Sequence, residues 1–299
     1  MIKVIPTPYG GQKEIEVFIP KIAHNSAGTL PKVLYKYRDW DSDYNKRILT
    51  DLEIWLSAPK EFNDPFDCKI PYDYDLLGNE NTRRAYFTQT QDELVKNGYK
   101  LPAKNADSSV DSSIEWFVKN FKPEMIDAKG AIGIQDKMVQ SIGLYCTTPL
   151  NDNILMWAHY AKNSTGFCIG LDTEILMSME SEIFQACIQI KYLETTNIPK
   201  VNPLDNFEDR TQKTCCVKFG IWSYEREYRF IVLSPEHRLV TILPKHIHSV
   251  VLGSAMTAEN KHEIKQVLNK DRFRHVRLFQ AEQSNSSFVL NITEISKNI

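Results

Sequence analysis

Apolar and polar residues along this chain fall into short runs of two periods. Val33-Leu34-Tyr35-Lys36-Tyr37-Arg38, Ile54-Trp55-Leu56-Ser57, Gly143-Leu144-Tyr145-Cys146-Thr147 and Phe167-Cys168-Ile169-Gly170-Leu171 are brief and rich in aliphatic, β-branched or aromatic residues, which predicts strands. An earlier strand-like run, Ile15 to Ile19, precedes a loop around Asn25-Ser26-Ala27-Gly28. Asp43 to Leu52 carries apolar residues at helical spacing. Ala58 to Asp67 holds two prolines and an Asn-Asp pair, which break regular structure. From Asn81 to about Gln140 the pattern is helical, with a polar interruption at Lys104 to Ser109, as in an insertion or cap. Asn151 or Asp152 can cap a helix running through Met156, Trp157, Tyr160 and Ala161, and Gly166 ends it. Beyond that the pattern predicts a strand at Ile188–Leu193 and a helix at Asn206–Val217. Strands follow at Trp222–Leu233 and Ser249–Leu252, then a helix at Ala258–Leu268 and strands near His275–Phe279 and Phe288–Ile292. The expectation is one α+β domain over residues 1–299, with a helical insertion at 80–140.

Composition narrows the class. The chain has 299 residues, 42% hydrophobic and 25% charged, which fits a folded protein and excludes a disordered or collagen-like one. The 36 basic and 38 acidic residues leave a charge of −2, so any nucleic-acid binding needs a local patch. No apolar stretch approaches the ~18 residues of a membrane span, and Met1 to Pro6 is too short for a secretory signal. A cytoplasmic location without membrane contact is expected. The cysteines at 68, 146, 168, 187, 215 and 216 form no C-x-x-C, which predicts reduced, buried thiols. His246-x-His248 in an apolar run is a poor metal site, and no metal is expected.

Three polar clusters carry candidate chemistry. Alternation places Tyr35 and Tyr37 on one face of the first strand and Lys36 and Arg38 on the other. An arginine at a strand end suits a phosphate or carboxylate clamp; the alternative is a surface Arg38 paired with Asp39 or Asp41. In the second, Ser57 precedes a turn in which Asn63 and Asp64 can bond their own backbone and Pro65 fixes φ. That turn is either purely structural or a loop that orients a ligand. The third is Trp222 to Val232. As one strand it points Glu225, Glu227 and Arg229 the same way, with the carboxylates ~7 Å apart. Facing a cleft, they repel unless Arg229 neutralises them, and such a pair suits general-base work or stabilisation of an oxocarbenium ion. A solvated Glu–Arg ladder is the alternative. Trp157 and Tyr160 share a helix face, for core packing or for stacking on a flat ligand ring.

In order, these segments resemble a bacterial family known as the domain of unknown function 2971. The matching pieces are Leu34 to Arg38, Leu56-Ser57-Ala58-Pro59 with Phe62 to Asp67, Leu144 to Thr147 with Met156 to Tyr160, Gly166 to Ile169, and Trp222-x-x-Glu225-x-Glu227-Tyr228-Arg229. Val250-Val251-Leu252-Gly253 is similar to the family's late strand. Tyr145-Cys146-Thr147 departs from the commoner Cys-Phe-Ser, with Thr147 in the place of the serine.

A basic early strand, a strand ending in serine and a late Glu-x-Glu also resemble the ADP-ribosyltransferase layout. That resemblance implies a split antiparallel or mixed β-sheet core and NAD as substrate. It implies that Arg38 contacts the pyrophosphate or ribose, that Ser57 orients the core, and that Glu227 or Glu225 is the catalytic carboxylate. Tyr35, Tyr37 or Trp157 would stack on nicotinamide, with Tyr160, Asn63, Asp64 and Arg229 completing the site. The acceptor would be nucleic acid or protein, as for a toxin or antiphage effector held by an antitoxin or other regulatory partner. Two alternatives stand beside it: a Mg²⁺-dependent nuclease or nucleotide hydrolase built on Glu225, Glu227 and Asp64, and a non-enzymatic adaptor that senses a nucleotide or a phage protein.

Overall fold

A computed structural model describes residues 2–6, 12–16, 30–96, 142–178, 184–233 and 238–298, with a few positions between 110 and 119. The loop expected around residues 25–28 and much of the expected insertion lie outside the described residues. The fold is mixed α+β with several sheets. In chain order the strands are β1 (Ile2–Pro6), β2 (Gln12–Glu16), β3 (Val33–Arg38), β4 (Glu53–Trp55), β5 (Ile142–Thr147), β6 (Phe167–Asp172), β7 (Ala186–Gln189), β8 (Lys191–Leu193), β9 (Val217–Phe219), β10 (Tyr228–Leu233), β11 (Leu239–Thr241), β12 (Ile247–Leu252), β13 (Arg277–Gln283) and β14 (Leu290–Glu294). The α-helices are α1 (Asp43–Thr50), α2 (Glu80–Lys96), α3 (Ile154–Tyr160), α4 (Thr173–Met177), α5 (Phe207–Cys215) and α6 (Ala258–Leu268).

The chain divides into two compact units. One comprises Met1–Ile22, Asp64–Gln140 and Thr196–Val217; the other comprises Ala23–Asn63, Ser141–Thr195 and Lys218–Ile299. In the first unit β1 and β2 pair antiparallel, and Tyr72 bridges Val201 in parallel. Asn206 caps α5 by accepting from Asp209 N at 2.9 Å.

The second unit is built on a five-stranded sheet of order β14-β13-β12-β6-β3, in which only β12 and β13 run parallel. Its inner strands β6 and β12 are buried almost throughout because both of their faces are covered. Leu34, Phe167, Ile169, Leu171, Val250, Leu252 and Leu278 belong to one buried cluster, which also takes Tyr145 and Phe230. Tyr37, Cys168, Val251 and Ala281, at the alternate positions, belong to another with Met156 and Trp157 of α3. A second sheet, β5-β10-β7, is antiparallel throughout. Its strand β5 is joined to β3 through the Tyr35–Thr148 bridge and meets Ser57 through the Ser57–Leu144 bridge.

Two expected strands are corrected. Trp222–Leu233 is not continuous: Gly220–Glu225 forms a 3₁₀ turn, Arg226 sits in the left-handed region at φ 45°, and the strand begins at Tyr228. The alternating aromatic and polar residues mimic a strand period, yet Arg226 N bonds back to Ser223 O at 3.2 Å and closes the turn. Ile188–Leu193 divides at Ile190, whose N–H donates to Glu227 O at 2.9 Å.

Two glycines seal the end of the larger sheet. Gly253 N donates to Gly166 O at 2.9 Å. A Cβ at residue 253 would overlap the Ser164 and Gly166 carbonyl oxygens, and one at 166 would overlap the carbonyl of Arg38. These are backbone atoms that cannot rotate aside. Gly253→Ala and Gly166→Ala are therefore expected to lose about 1–3 kcal/mol or more in urea unfolding. Gly78→Ala, with nothing within 4 Å of the added carbon, should stay within about 0.5 kcal/mol of the parent.

Candidate functional site

Arg229 pairs with Cys146 across the β10–β5 ladder, and Phe230 with Tyr145. Cross-strand partners share a face, so one face of this sheet presents Tyr145 and Phe230 to the core. The opposite face presents Cys146 and Arg229, together with Glu227 two residues earlier. Arg229 grips Glu227 with a fork, Nε to Oε1 at 2.8 Å and Nη2 to Oε2 at 3.0 Å. Lys218 Nζ, from β9, donates to Glu225 Oε2 at 2.7 Å and to Glu227 Oε2 at 3.3 Å. Tyr160 OH donates to the other oxygen of Glu225 at 2.5 Å, and Glu227 N donates to Tyr192 OH at 2.8 Å. The bend at Arg226 lets both glutamates reach one ammonium; a straight strand would hold them parallel.

All four charged residues are buried: Lys218 is 7% exposed, Glu225 3%, Glu227 4% and Arg229 0%. Ions this deep persist only when paired. Burial pushes Glu227 toward its neutral form, but the Arg229 guanidinium and the Lys218 ammonium outweigh it and hold the carboxyl well below the usual range. The Cys146 thiol is pushed up to about 12 by burial and then by the Glu227 carboxylate, so it is a donor rather than a nucleophile. Around the cluster lie partly exposed aromatic rings. The Lys218 ammonium sits 4.9 Å from the Trp222 ring, and Tyr224 lies 6.2 Å from both Trp222 and His159. Asn153, the N-cap of α3, ties this turn down by donating to Tyr224 O at 2.9 Å. The Arg229 guanidinium lies 5.0 Å from the Phe62 ring, and Asn63 bonds the Tyr160 hydroxyl.

The structure thus brings together Glu225, Glu227, Arg229, Tyr160 and Asn63 of the expected site. Tyr37 and Trp157 pack edge to face at 5.0 Å, both essentially fully buried, with Tyr37 OH donating to Leu150 O and Trp157 Nε1 to Asn151 O. They are core, and neither has a ring face open for stacking. Tyr35 is half-buried and packs beside them. Ser57 acts through its backbone, exchanging two hydrogen bonds with Leu144. Asp64 belongs to the other unit, where Oδ1 accepts from Phe66 N at 2.9 Å and fixes the turn.

Arg38 does not join the carboxylates. It lies beside Tyr145, whose side chain points to the face opposite Cys146 and Glu227. Nor do Asp39 and Asp41 pair with it, since both engage Lys162. From β3 it is Lys36 that approaches the carboxylate strand, donating to Cys146 O at 2.7 Å between the two bridges. Burial, and then the neighbouring Arg38, bring the Lys36 ammonium down to about 8. Lys218 and Tyr192 had no place in the expected site. A signal for Lys218 was present, as one lysine inside the apolar run Cys215-Cys216-Val217-Lys218-Phe219; Tyr192 had none.

A family model described as protein of unknown function (DUF2971) matches residues 156–230, a segment that contains Tyr160, Tyr192, Lys218, Glu225, Glu227 and Arg229. The family resemblance seen in the sequence holds over that segment. No curated protein and no solved structure matches the chain. Among the described residues, no helix is long and apolar enough to cross a membrane.

Because its folded-state carboxyl sits below the unfolded value of 4.5, Glu227 contributes stability that is complete above about that pH. This contribution is lost as the pH falls through the folded value. Glu227→Gln is expected to cost about 3–5 kcal/mol at neutral pH, since it leaves buried cations short of a partner. Urea unfolding followed from neutral to acid pH should show the gap between parent and variant narrowing below pH 4.5. A gap of constant size would mean that the ionised carboxylate is not what the cations hold.

Proposed function

We propose that this chain transfers an ADP-ribosyl group from NAD, with the Glu225–Glu227 pair as the anionic wall of the reaction site. One observation carries the reading: the two carboxylates converge on Lys218 beside a rim of Tyr160, Trp222 and Tyr224. The strand order, basic β3, then β5, then the Glu-x-Glu entry to β10, supports it, as do two sheets that meet at the Tyr35–Thr148 bridge.

In that reaction the bond between nicotinamide and ribose C1′ breaks and nicotinamide leaves with the bonding pair. The ribose becomes cationic, and a nearby fixed carboxylate favours that state over the ground state. Water or an acceptor nucleophile then bonds to C1′ and releases its proton. Both oxygens of Glu227 are gripped by Arg229. Glu225 takes single bonds from Tyr160 and Lys218 instead of a guanidinium fork, and is the carboxylate assigned here to the ribose. The pyrophosphate contact expected of Arg38 is not carried into this reading. Lys218 is the cation beside the carboxylates, and the rings of Trp222 and Tyr224 offer surfaces for the nicotinamide. A divalent ion, by contrast, would have to displace both Lys218 and Arg229.

The test is incubation of the purified chain with NAD, reading nicotinamide by chromatography and ADP-ribosyl additions to protein, RNA and DNA by mass spectrometry. Glu225→Gln, folded by circular dichroism, is expected to lower nicotinamide release about 100-fold or more, whereas chelation of Mg²⁺ leaves it unchanged. Release no greater than in buffer, with no adduct, overturns the reading, as does full activity in both Glu225→Gln and Glu227→Gln. Chelator-sensitive cleavage of nucleic acid would instead assign the carboxylates to a metal-dependent hydrolase.

A further inference from the structure

On the opposite face of the β5–β10 sheet, Tyr145 is 2% exposed and its hydroxyl is buried without a hydrogen-bond partner. A buried hydroxyl left unpaired costs about 1–3 kcal/mol. The same cleft is lined by Arg38, whose guanidinium makes no hydrogen bond or ion pair among the described residues. Its sequence neighbours Asp39 and Asp41 are taken by Lys162. The cleft's other guanidinium, Arg47, is neutralised by Glu53. Lys36 adds positive charge, with its ammonium 5.3 Å from the Tyr145 ring.

We propose that Arg38 and Tyr145 form a binding site for an oxyanion, a phosphate or carboxylate group presented by a small molecule. The guanidinium supplies charge and a planar pair of donors, and the unpartnered hydroxyl of Tyr145, which lines the same cleft, supplies a third donor. Burial keeps that hydroxyl protonated, so it donates. The cavity of about 20 Å³ has room for one or two water-sized atoms, which admits the oxygens of one oxyanion and no ring. Tyr44 and Leu239, both exposed, line its rim, and Trp55 stands beside Tyr44 at 5.9 Å, so the rest of the ligand would lie against aromatic surface outside. This site stands apart from the Glu225–Glu227 cluster and does not depend on what that cluster catalyses.

Thermal unfolding of the full chain at neutral pH and matched ionic strength tests it, with chloride, inorganic phosphate and acetate as the three probes. Phosphate, acetate or both are expected to raise Tm above the chloride value, because a ligand that binds the folded state stabilises it. The increment should vanish in Arg38→Gln and in Tyr145→Phe. In chloride, Tyr145→Phe should leave Tm unchanged or higher, since the removed hydroxyl has no partner in the fold. An increment with phosphate alone assigns a phosphate group, and one with acetate alone a carboxylate. No increment in the parent chain, or an increment that survives both substitutions, overturns the proposal. So does a Tm that falls in chloride on Tyr145→Phe, because the hydroxyl would then already be bonded within the fold.

Discussion

Two carboxylates and two cations share a nearly dry space at the entry to β10, and much of the surrounding architecture serves that arrangement. Lys218, Glu225, Glu227 and Arg229 come from one stretch of twelve residues, 218–229, that changes conformation twice, from strand to 3₁₀ turn and back to strand. Each change aims a charge at its partner. Removing any one of them leaves an ion in a low-dielectric interior without compensation, which is costlier than never having buried the group. The cluster is therefore mutually dependent, and Tyr160 and Tyr192 extend it to α3 and β8.

The two faces of the β5–β10 sheet then do different work. One carries the ions; the other carries Tyr145 and Phe230 into the core, with Arg38 at its margin. A single strand, β3, addresses both sides of the boundary. Its Lys36 ammonium donates to the Cys146 carbonyl of β5, and Arg38, two residues on, lines the separate cleft. Two basic residues on one strand face thus end in different environments. Strand β3 is joined to β5 by the single Tyr35–Thr148 bridge.

How much of this was legible depended on whether the signal was local. Strands β6 and β12 stood out because burial on both faces leaves mostly apolar runs, and β3 because it is rich in β-branched and aromatic residues. Helix α3 was evident from its aromatic spacing, although its cap is Asn153 rather than the two polar residues just before it. The Glu225-x-Glu227 pair and Arg229 were visible as candidates, and Arg229 does neutralise Glu227. The 3₁₀ turn was hidden because aromatic and polar residues alternated with the period of a strand. Tyr160 meets Glu225 across 65 residues, and Tyr192 meets Glu227 across 35. No window of sequence contains such pairs. That Arg38 lies beside Tyr145, away from the carboxylates, becomes known only when the strands are paired.

The residue between the two glutamates has a consequence of its own. Arg226 is exposed, so packing places almost no demand on its identity, while its left-handed torsion angles decide where both neighbours point. A motif written as Glu-x-Glu records that position as a blank. The blank is true of the side chain and false of the backbone. Asparagine or glycine would keep the spelling and the geometry alike, whereas valine would keep the spelling and misdirect both acids. Descendants of this sequence that drift at 226 would be sorted by torsional tolerance, a filter that leaves its trace in which residues are missing there.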